Sequence, residues 1–281
     1  MVEKIFVVGS IKIDSRQRRN YFLNNLASLE PISPLLSWNF NIAGKYSEDI
    51  RREVLKRYKE ADVALDDESS YYEIVKKQIS FADKKALLFF LMEDHWLVCP
   101  HKNLFFYLLE EFRNSEADAL RITHLIEFWE RENAYKLIVD KPLYKEYFID
   151  QNVLLNLWQK YPGAYVTSLP GIFKKEFALE ILENNKSLLN SKKPGGFELF
   201  GKKAEEFLAK RSFVTMVPTF HVFREVFGVN HEDRSMDVRK ALKIIKLRDT
   251  PDTAIKPWRG IIRLIMEPRV LLGRIKRKIK K

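Results

Sequence analysis

The feature of this sequence that most constrains its fold is an apolar run that ends directly in three polar side chains. Residues Ala86 to Met92 are all apolar, and Glu93, Asp94 and His95 follow without an intervening turn. A short apolar run of this kind predicts a buried β-strand. Carboxylates at the end of a buried strand cost several kcal/mol unless they have partners. The cluster therefore indicates a bound cation or ligand, at the strand edge where open α/β sheets bind ligands.

The alternative is a strand that ends in a solvated turn, with Glu93 and Asp94 facing water and His95 hydrogen-bonded nearby. The chain continues at once, however, with a second apolar segment from Trp96 to Pro100. The three polar residues thus lie between two apolar segments, which favours a site over a loop.

Strand-like and helix-like segments alternate along the chain, which predicts an α/β fold with a mainly parallel sheet flanked by helices. The first predicted strand, Lys4 to Ser10, ends in a small-residue turn at Gly9 and Ser10. Ser47 is predicted to cap the second helix. Strands are further predicted at Leu35–Ile42, Ala61–Leu65 and Ala119–His124, a strand and turn at Gly163–Phe173, and helices at 15–29, Ser47–Tyr58, Tyr71–Ile79, Asn103–Arg113, 174–183 and 197–210.

Composition and length exclude several classes of protein. In a chain of 281 residues, 46% apolar and 13% aromatic content are typical of a globular protein rather than a disordered one. The single cysteine, Cys99, excludes an intramolecular disulfide framework and fits a reducing compartment. No segment reaches the roughly 18 to 20 apolar residues that span a bilayer, and the first residues lack the layout of a signal peptide. We therefore expect a cytoplasmic protein.

The positive charge is concentrated near the C-terminal end of the sequence. The whole chain has a net charge of +11, but residues 239–281 alone carry 15 Lys and Arg against three acids, a net charge of +12. Residues 1–238 therefore sum to −1. A neutral body with a basic tail indicates a separate docking segment rather than the basic cleft of a nucleic-acid enzyme. We predict a globular domain at 1–238 and a basic amphipathic helical extension at 239–281.

The basic tail has the pattern of a membrane-surface helix. Leu271, Ile275 and Ile279 follow one another at intervals of four residues and make one apolar stripe. The predicted anchor is an anionic membrane surface, on the inner face of the cell membrane. A tail packed on the domain and an RNA-binding tail are the alternatives, but RNA phosphates do not need an apolar stripe, so no nucleic acid is expected. The other predicted membrane contacts are Trp258, Arg263, Arg274, Lys276, Arg277 and Lys278.

The order of three motifs resembles the GT-A class of nucleotide-sugar-dependent glycosyltransferases, in particular the bacterial family-2-like enzymes of surface polysaccharide assembly. Glu93-Asp94-His95 stands in the place of the Asp-X-Asp motif, Ser168 to Phe173 matches a later turn and helix, and Gly195-Gly196-Phe197-Glu198 stands at a further helix start. The resemblance covers roughly residues 4–230. It implies a GT-A-like domain that moves a sugar from a nucleotide-sugar donor to a lipid-linked glycan acceptor in capsule or O-antigen synthesis.

The resemblance also implies a metal ion, Mn²⁺ or Mg²⁺, that bridges the donor phosphates. Glu93 would face the ribose or the donor sugar, and Asp94 or His95 would reach the metal. His221 would contact the metal or the diphosphate, unless it is a core histidine with one hydrogen bond. His95 stands where the family has a second acid, which suits Mn²⁺ better than Mg²⁺ and leaves a metal-independent site open.

On the acceptor side, the resemblance implies that Glu198 is the general base, with Asp94 as the second catalytic carboxylate. Glu198 also fits an ordinary first-turn glutamate beside a helix dipole. Gly195 and Gly196 would let an acceptor approach, or form only a flexible loop, and His124 could face the acceptor. A base at Glu198 favours inversion over retention of the anomeric configuration.

For the nucleotide, Gly9 and Ser10 follow the first strand where the base and ribose would bind, and Asp66 and Asp67 are candidate uracil or ribose contacts. The sequence contains neither a Gly-X-Gly-X-X-Gly fingerprint nor a phosphate-binding loop ending in Gly-Lys-Ser/Thr. Dehydrogenase and kinase functions are therefore disfavoured. A nucleotidyltransferase and a non-catalytic partner of a membrane polysaccharide assembly stay open as alternatives.

Overall fold

The computed structural model describes residues 4–93, 95–97, 102–122, 135–152, 171–191, 211–220 and 222–225. For His95, Trp96, Arg224 and Glu225 it describes the backbone alone. The predicted boundary at 238/239 and the whole basic extension lie outside these residues, as does the helix predicted at 197–210.

Strands and helices alternate through most of the described residues. The helices are α1 Arg16–Leu29, α2 Ser47–Arg57, α3 Tyr71–Ser80, α4 Lys102–Arg113, α5 Lys175–Asn184 and α6 Lys186–Asn190, with a 3-10 helix at Glu30–Leu35. The strands are β1 Ile5–Lys12, β2 Leu36–Ala43, β3 Asp62–Ala64, β4 Leu87–Phe90, β5 His95–Leu97, β6 Ala119–Arg121, β7 Lys136–Asp140, β8 Tyr144–Ile149, β9 Gly171–Lys174, β10 Phe213–Pro218 and β11 Phe223–Glu225.

Nine of these strands form one sheet in the order β3-β2-β1-β4-β9-β6-β10-β8-β7. Neighbours from β3 to β4 pair in parallel, as do β6 and β10, whereas β9 and β8 run against both of their neighbours. Seven of the nine strands therefore point the same way. The predicted α/β fold with a mainly parallel sheet flanked by helices is confirmed.

An apolar layer covers each face of this sheet. α1, α2, α4 and the 3-10 helix pack on one face, where Phe22 and Phe105 are buried. α3, α5 and α6 pack on the other, around Val75 and Phe177. Successive residues of a strand point to opposite faces, so Val7 joins the first layer and Val8 the second.

The first strand is longer than predicted, and Gly9 lies inside it. β1 continues to Lys12, so the turn predicted at Gly9 and Ser10 is wrong. Gly9 pairs with Phe40 of β2, and a Cβ atom added to Gly9 would lie 2.4 Å from Cδ1 of Phe40. The absence of a side chain at Gly9 thus serves the packing of the Phe40 ring rather than a turn.

The five longer predicted helices in the described residues begin and end within one residue of their predicted bounds. The cap of α2 is a correction, because Tyr46 occupies the N-cap position and Ser47 is already helical. Gly44 makes the bend before this helix with a φ of 91°, and its carbonyl accepts a hydrogen bond from the Ser47 N–H at 3.0 Å. The carbonyl of a glycine in the left-handed conformation thus accepts a hydrogen bond at the start of the helix, where a serine side chain was expected to be the acceptor.

Two pairings were not predicted from the sequence. β7 and β8 form a hairpin at one edge of the sheet. β5 and β11 form a separate two-stranded antiparallel sheet, in which Leu97 pairs with Phe223. A third difference is at Gly171 to Phe173, predicted to contain a turn, which belongs to strand β9.

Candidate functional site

The candidate site lies where the order of the parallel strands reverses. The chain places β2 and β3 on one side of β1 and then crosses to place β4 on the other side. In open α/β sheets, ligands bind outside the carboxyl ends of the strands at such a switch point. Here the segment after β1 leads into α1, and the segment after β4 carries Glu93.

An ion pair joins these two segments. Both the Nε and the Nη2 of Arg18, in the first turn of α1, donate to Oε1 of Glu93, the Nε at 2.8 Å. The Arg18 side chain is 38% exposed and that of Glu93 only 13%. The carboxylate predicted to face a donor sugar is therefore covered and already paired with a cation.

Two buried side chains of α1 hold the same segment on either side of Asp94. The Nδ2 of Asn25 donates to the Met92 carbonyl, and the Leu97 N–H donates to the Ser28 hydroxyl at 2.9 Å. Asn25 is 0% exposed and Ser28 is 5% exposed. α1 thus bonds to the chain on both sides of the polar motif, at Met92 and at Leu97.

The small β5–β11 sheet brings together two predicted metal-binding segments that lie far apart in the sequence. The backbone of His95 pairs with that of Glu225, and Leu97 pairs with Phe223. Phe223 packs on Phe89 of β4, with 5.3 Å between ring centroids. The neighbours of position 221 in the sequence, Phe220 and Val222, are both buried. The chain from Phe223 to Glu225, which begins two residues after position 221, therefore lies beside the segment that follows β4.

Asp66 and Asp67, the predicted ribose or uracil contacts, follow β3 at the same edge. Hydrogen bonds from the Ser69 side chain and backbone lower the pKa of Asp66, and the Asn41 amide bonds both the N–H and the carbonyl of Asp66. Asp67 accepts a hydrogen bond from the Gly44 N–H at 3.0 Å. Both carboxylates thus already stabilise the turns between β2, β3 and α3.

Ser10 faces the α3 side of the sheet, beside a polar side chain that the sequence analysis did not single out. Gln78 of α3 donates its Nε2 to the carbonyls of Gly9 and Asn39 at 3.2 and 3.1 Å. The Ser10 Oγ and the Gln78 Oε1 are both buried and have no hydrogen-bond partner. The end of β1 therefore offers two uncommitted polar atoms.

The described residues do not supply a complete metal site. They contain no group of three His, Cys, Asp or Glu side chains placed to hold a metal ion. One oxygen of Glu93 is committed to Arg18. Asp94 and His221 lie outside the described residues, and so does the side chain of His95. Mn²⁺ or Mg²⁺ binding by these three residues stays a prediction.

The acceptor-side and membrane predictions also lie outside the described residues. These are Glu198, Gly195, Gly196 and His124, together with every predicted membrane contact from Trp258 to Lys278. None of the helices in the part of the chain that the structure describes is both long and apolar enough to cross a membrane.

Sequence reasoning missed the residues of α1 that organise this site. Arg18, Asn25 and Ser28 project from one helix to one segment, and Asn25 and Ser28 occupy buried positions among apolar residues. The available signal was two polar residues on the apolar side of an amphipathic helix. Such residues need hydrogen-bond partners, but the helix alone does not show which segment provides them.

Neither a protein-family model nor a curated protein matches the sequence. Among solved structures, 4-diphosphocytidyl-2C-methyl-D-erythritol synthase from Anaerococcus prevotii DSM 20548 is similar with a TM-score of 0.41 and 13% identity, over 88% of this chain and 100% of that chain. S. aureus TarS residues 1–349 in complex with UDP is similar with a TM-score of 0.43 and 14% identity, over 76% of this chain and 57% of that one.

A UDP-glucose pyrophosphorylase complexed with UDP-glucose is similar with a TM-score of 0.43 and 8% identity, over 88% of this chain and 100% of that chain. The chain thus spans little more than half of the TarS structure and all of the other two.

Proposed function

We propose that the protein is an enzyme that binds a nucleotide-sugar, and more specifically a GT-A-like glycosyltransferase. The observation that supports this most is the ion pair between Arg18 and Glu93 at the switch point, between the ends of β1 and β4. Covering charged groups at this edge costs free energy of desolvation. A charged ligand that binds to them would offset this cost.

In the proposed reaction, an acceptor hydroxyl oxygen attacks the anomeric carbon of the donor sugar. The bond from that carbon to the diphosphate oxygen breaks, and its electron pair leaves with the nucleoside diphosphate. Glu198 takes the proton of the hydroxyl, and attack from the face opposite the leaving group inverts the anomeric centre. Asp94, His95 and His221 would hold Mn²⁺ or Mg²⁺, which supplies positive charge to the leaving diphosphate.

The proposed acceptor is a lipid-linked glycan of capsule or O-antigen assembly. The basic tail would then keep the enzyme on the inner face of the cell membrane, where such an acceptor is available. Deletion of residues 251–281 is expected to release the protein from liposomes that contain anionic lipid, because the stripe of Leu271, Ile275 and Ile279 and most of the tail cations are lost. Unchanged liposome binding would contradict a membrane role for the tail.

The first experiment is thermal unfolding in the presence of UDP-, GDP-, CMP- and dTDP-sugars, each with and without Mn²⁺. A ligand that binds only the folded state raises the melting temperature, so one nucleotide class is expected to give a shift. Well-folded protein that shows no shift with any donor would contradict the proposed function and favour a non-catalytic role. Asp94→Asn is expected to abolish transfer and leave the melting temperature without ligand nearly unchanged.

A nucleotidyltransferase is the second candidate. Arg18 and Glu93 lie on the proposed nucleotide side of the site, and a nucleotide-binding site of this kind does not determine which acceptor the enzyme uses. The reaction products separate the two candidates. A glycosyltransferase releases a nucleoside diphosphate from a nucleotide-sugar, whereas a nucleotidyltransferase releases pyrophosphate from a nucleoside triphosphate.

A further inference from the structure

We infer that Arg18 binds the diphosphate of the donor while it is paired with Glu93. This inference rests on the proposed function, since it assigns a contact within the same nucleotide site. Arg18 would thus supply positive charge to the donor from the protein itself.

The geometry of the guanidinium leaves donors for a second anion. A guanidinium carries five N–H donors in one plane. Arg18 directs its Nε and Nη2 to a single oxygen of Glu93, and its Nη1 makes no hydrogen bond within the described residues. The edge formed by the two Nη atoms matches two phosphate oxygens, as arginine side chains commonly do in phosphate sites.

The two partners of the ion pair differ in exposure. The Glu93 side chain is 13% exposed, whereas that of Arg18 is 38% exposed. The covered carboxylate therefore orients the guanidinium plane, and the Arg18 side chain stays partly exposed at the switch point. The inferred contact uses this exposed part of Arg18 and leaves its bonds to Glu93 in place.

The local charge supports an anionic ligand. The first turn of α1 contains Arg16, Arg18 and Arg19 and no acid, although cations at the start of a helix oppose its dipole. Arg19 pairs with Asp49, whereas Arg16 is exposed and has no ion pair in the described part of the chain. A bound diphosphate would offset this excess of positive charge.

Inorganic pyrophosphate is the probe, because it carries the charge of the diphosphate and no base or sugar. In calorimetric titration, Arg18→Met is expected to weaken pyrophosphate binding by about tenfold or more, the effect of losing charged hydrogen bonds. Arg57→Met is the matched control, because Arg57, at the C-terminal end of α2, also pairs with a glutamate, Glu30, at 2.7 Å. The pyrophosphate affinity of this variant should equal that of the wild type. Should Arg18→Met not fold, Arg18→Lys keeps the charge without the planar fork and is expected to weaken binding severalfold.

The variant Glu93→Gln tests whether Arg18 binds the anion or only forms a structural ion pair with Glu93. If Arg18 binds the anion, Glu93→Gln keeps or increases pyrophosphate affinity, because the amide oxygen can still accept from Arg18 and orient it, while a neighbouring negative charge is removed. Equal losses in Arg18→Met and Glu93→Gln would overturn the inference, and so would a folded Arg18→Met protein with wild-type affinity or wild-type protein that binds no pyrophosphate. Nucleotide-sugar shifts in the wild type that persist in Arg18→Met would reject this inference alone, whereas the absence of any nucleotide-sugar shift would also reject the proposed function.

Discussion

Two covered glutamates, one in each half of the sheet, have opposite environments. Glu93 follows β4 at the switch point and accepts two hydrogen bonds from Arg18. Glu146 lies on β8, is 5% exposed, and makes neither a hydrogen bond nor an ion pair within the described residues. Burial raises the pKa of Glu146 above its ordinary value.

The difference shows where the protein places its compensating charges. A covered ion pair contributes little net stability, because desolvation of the two charges offsets their attraction. Arg18 nevertheless bonds directly to Glu93, whereas the charges of Lys141 and Lys174 lower the pKa of the more deeply covered Glu146 by less than burial raises it. We therefore interpret the Arg18–Glu93 pair as serving ligand binding and the environment of Glu146 as a consequence of packing.

The largest expected effect is on stability, and it tests whether the two halves of the sheet differ in packing as well as in the charges near their glutamates. Gly9→Ala would place a Cβ 2.4 Å from the Phe40 ring, and Gly171→Ala would place one 2.6 Å from the Phe173 ring. Both rings are buried, so each change is expected to reduce the free energy of unfolding by about 1 to 3 kcal/mol. Denaturant unfolding measures both. A loss at only one of the two positions would show that the halves also differ in how tightly they pack.

The next effect separates the two halves by function. Asn25 and Asn185 are both buried and both donate through Nδ2 to a backbone carbonyl, of Met92 and of Ile181 respectively. Asn25→Ala leaves the Met92 carbonyl without this donor and is expected to cost about 1 to 2 kcal/mol, whereas in Asn185→Ala the Ile181 carbonyl keeps the backbone N–H of residue 185 and the cost is smaller. Nucleotide-sugar shifts should disappear in Asn25→Ala alone, because Asn25 holds the segment that carries Glu93. If folded protein of both variants lost the nucleotide-sugar shifts in melting temperature, α1 would have no particular role in ligand binding.

A smaller effect comes from Glu146 and depends on pH. Between its ordinary pKa of 4.5 and its raised pKa, the folded protein keeps a proton that the unfolded chain has released. Stability therefore falls as the pH rises through this window. Glu146→Gln removes the loss and is expected to raise the melting temperature on the order of 2 °C above the window, with no difference below pH 4.5.

Thermal unfolding from about pH 4 to about pH 8 follows this dependence. The exposed Glu110→Gln is the control and should not change the melting temperature, because Glu110 is not among the charges that shift the pKa of Glu146. A lower melting temperature of Glu146→Gln at neutral pH would mean that Glu146 has a stabilising partner.

The smallest effect has the opposite dependence on pH. The hydrogen bond from Arg19 lowers the pKa of Asp49 below its ordinary value of 3.8, so the stabilisation is present above that value and is lost as the pH falls through the lowered pKa. Because Asp49 is partly exposed, Asp49→Asn is expected to cost less than about 1 kcal/mol at neutral pH. The same pH series measures it, and a variant as stable as the wild type at neutral pH would show that the pair contributes nothing.

The parts of the fold that could be predicted are those that local periodicity determines. The run from Ala86 formed β4, and the alternation of strands and helices predicted a mainly parallel sheet. The insertion of β9 between β4 and β6 could not be predicted, because a short apolar strand does not specify its neighbours or its direction. The pairing of β5 with β11 is of the same kind.

The site was predictable to a similar extent. The position of Glu93 at a strand edge followed from the apolar run before it. The partners of this segment did not, because they depend on contacts between residues 67 to 75 positions apart. Gly9 and Ser47 show the reverse error, in which a local preference for turns and caps was overridden by the packing of Phe40 and by the bend at Gly44.

The bonds from α1 to residues 92–97 also have a consequence for folding. Closing a chain over such separations costs conformational entropy, which is recovered only when α1 and β4 are both docked on the sheet. We therefore expect the segment around Glu93 to become ordered late in folding. The Leu97 amide, bonded to the Ser28 hydroxyl, should then exchange with solvent deuterium whenever α1 separates from the sheet, and its exchange rate would report directly on how often the site opens.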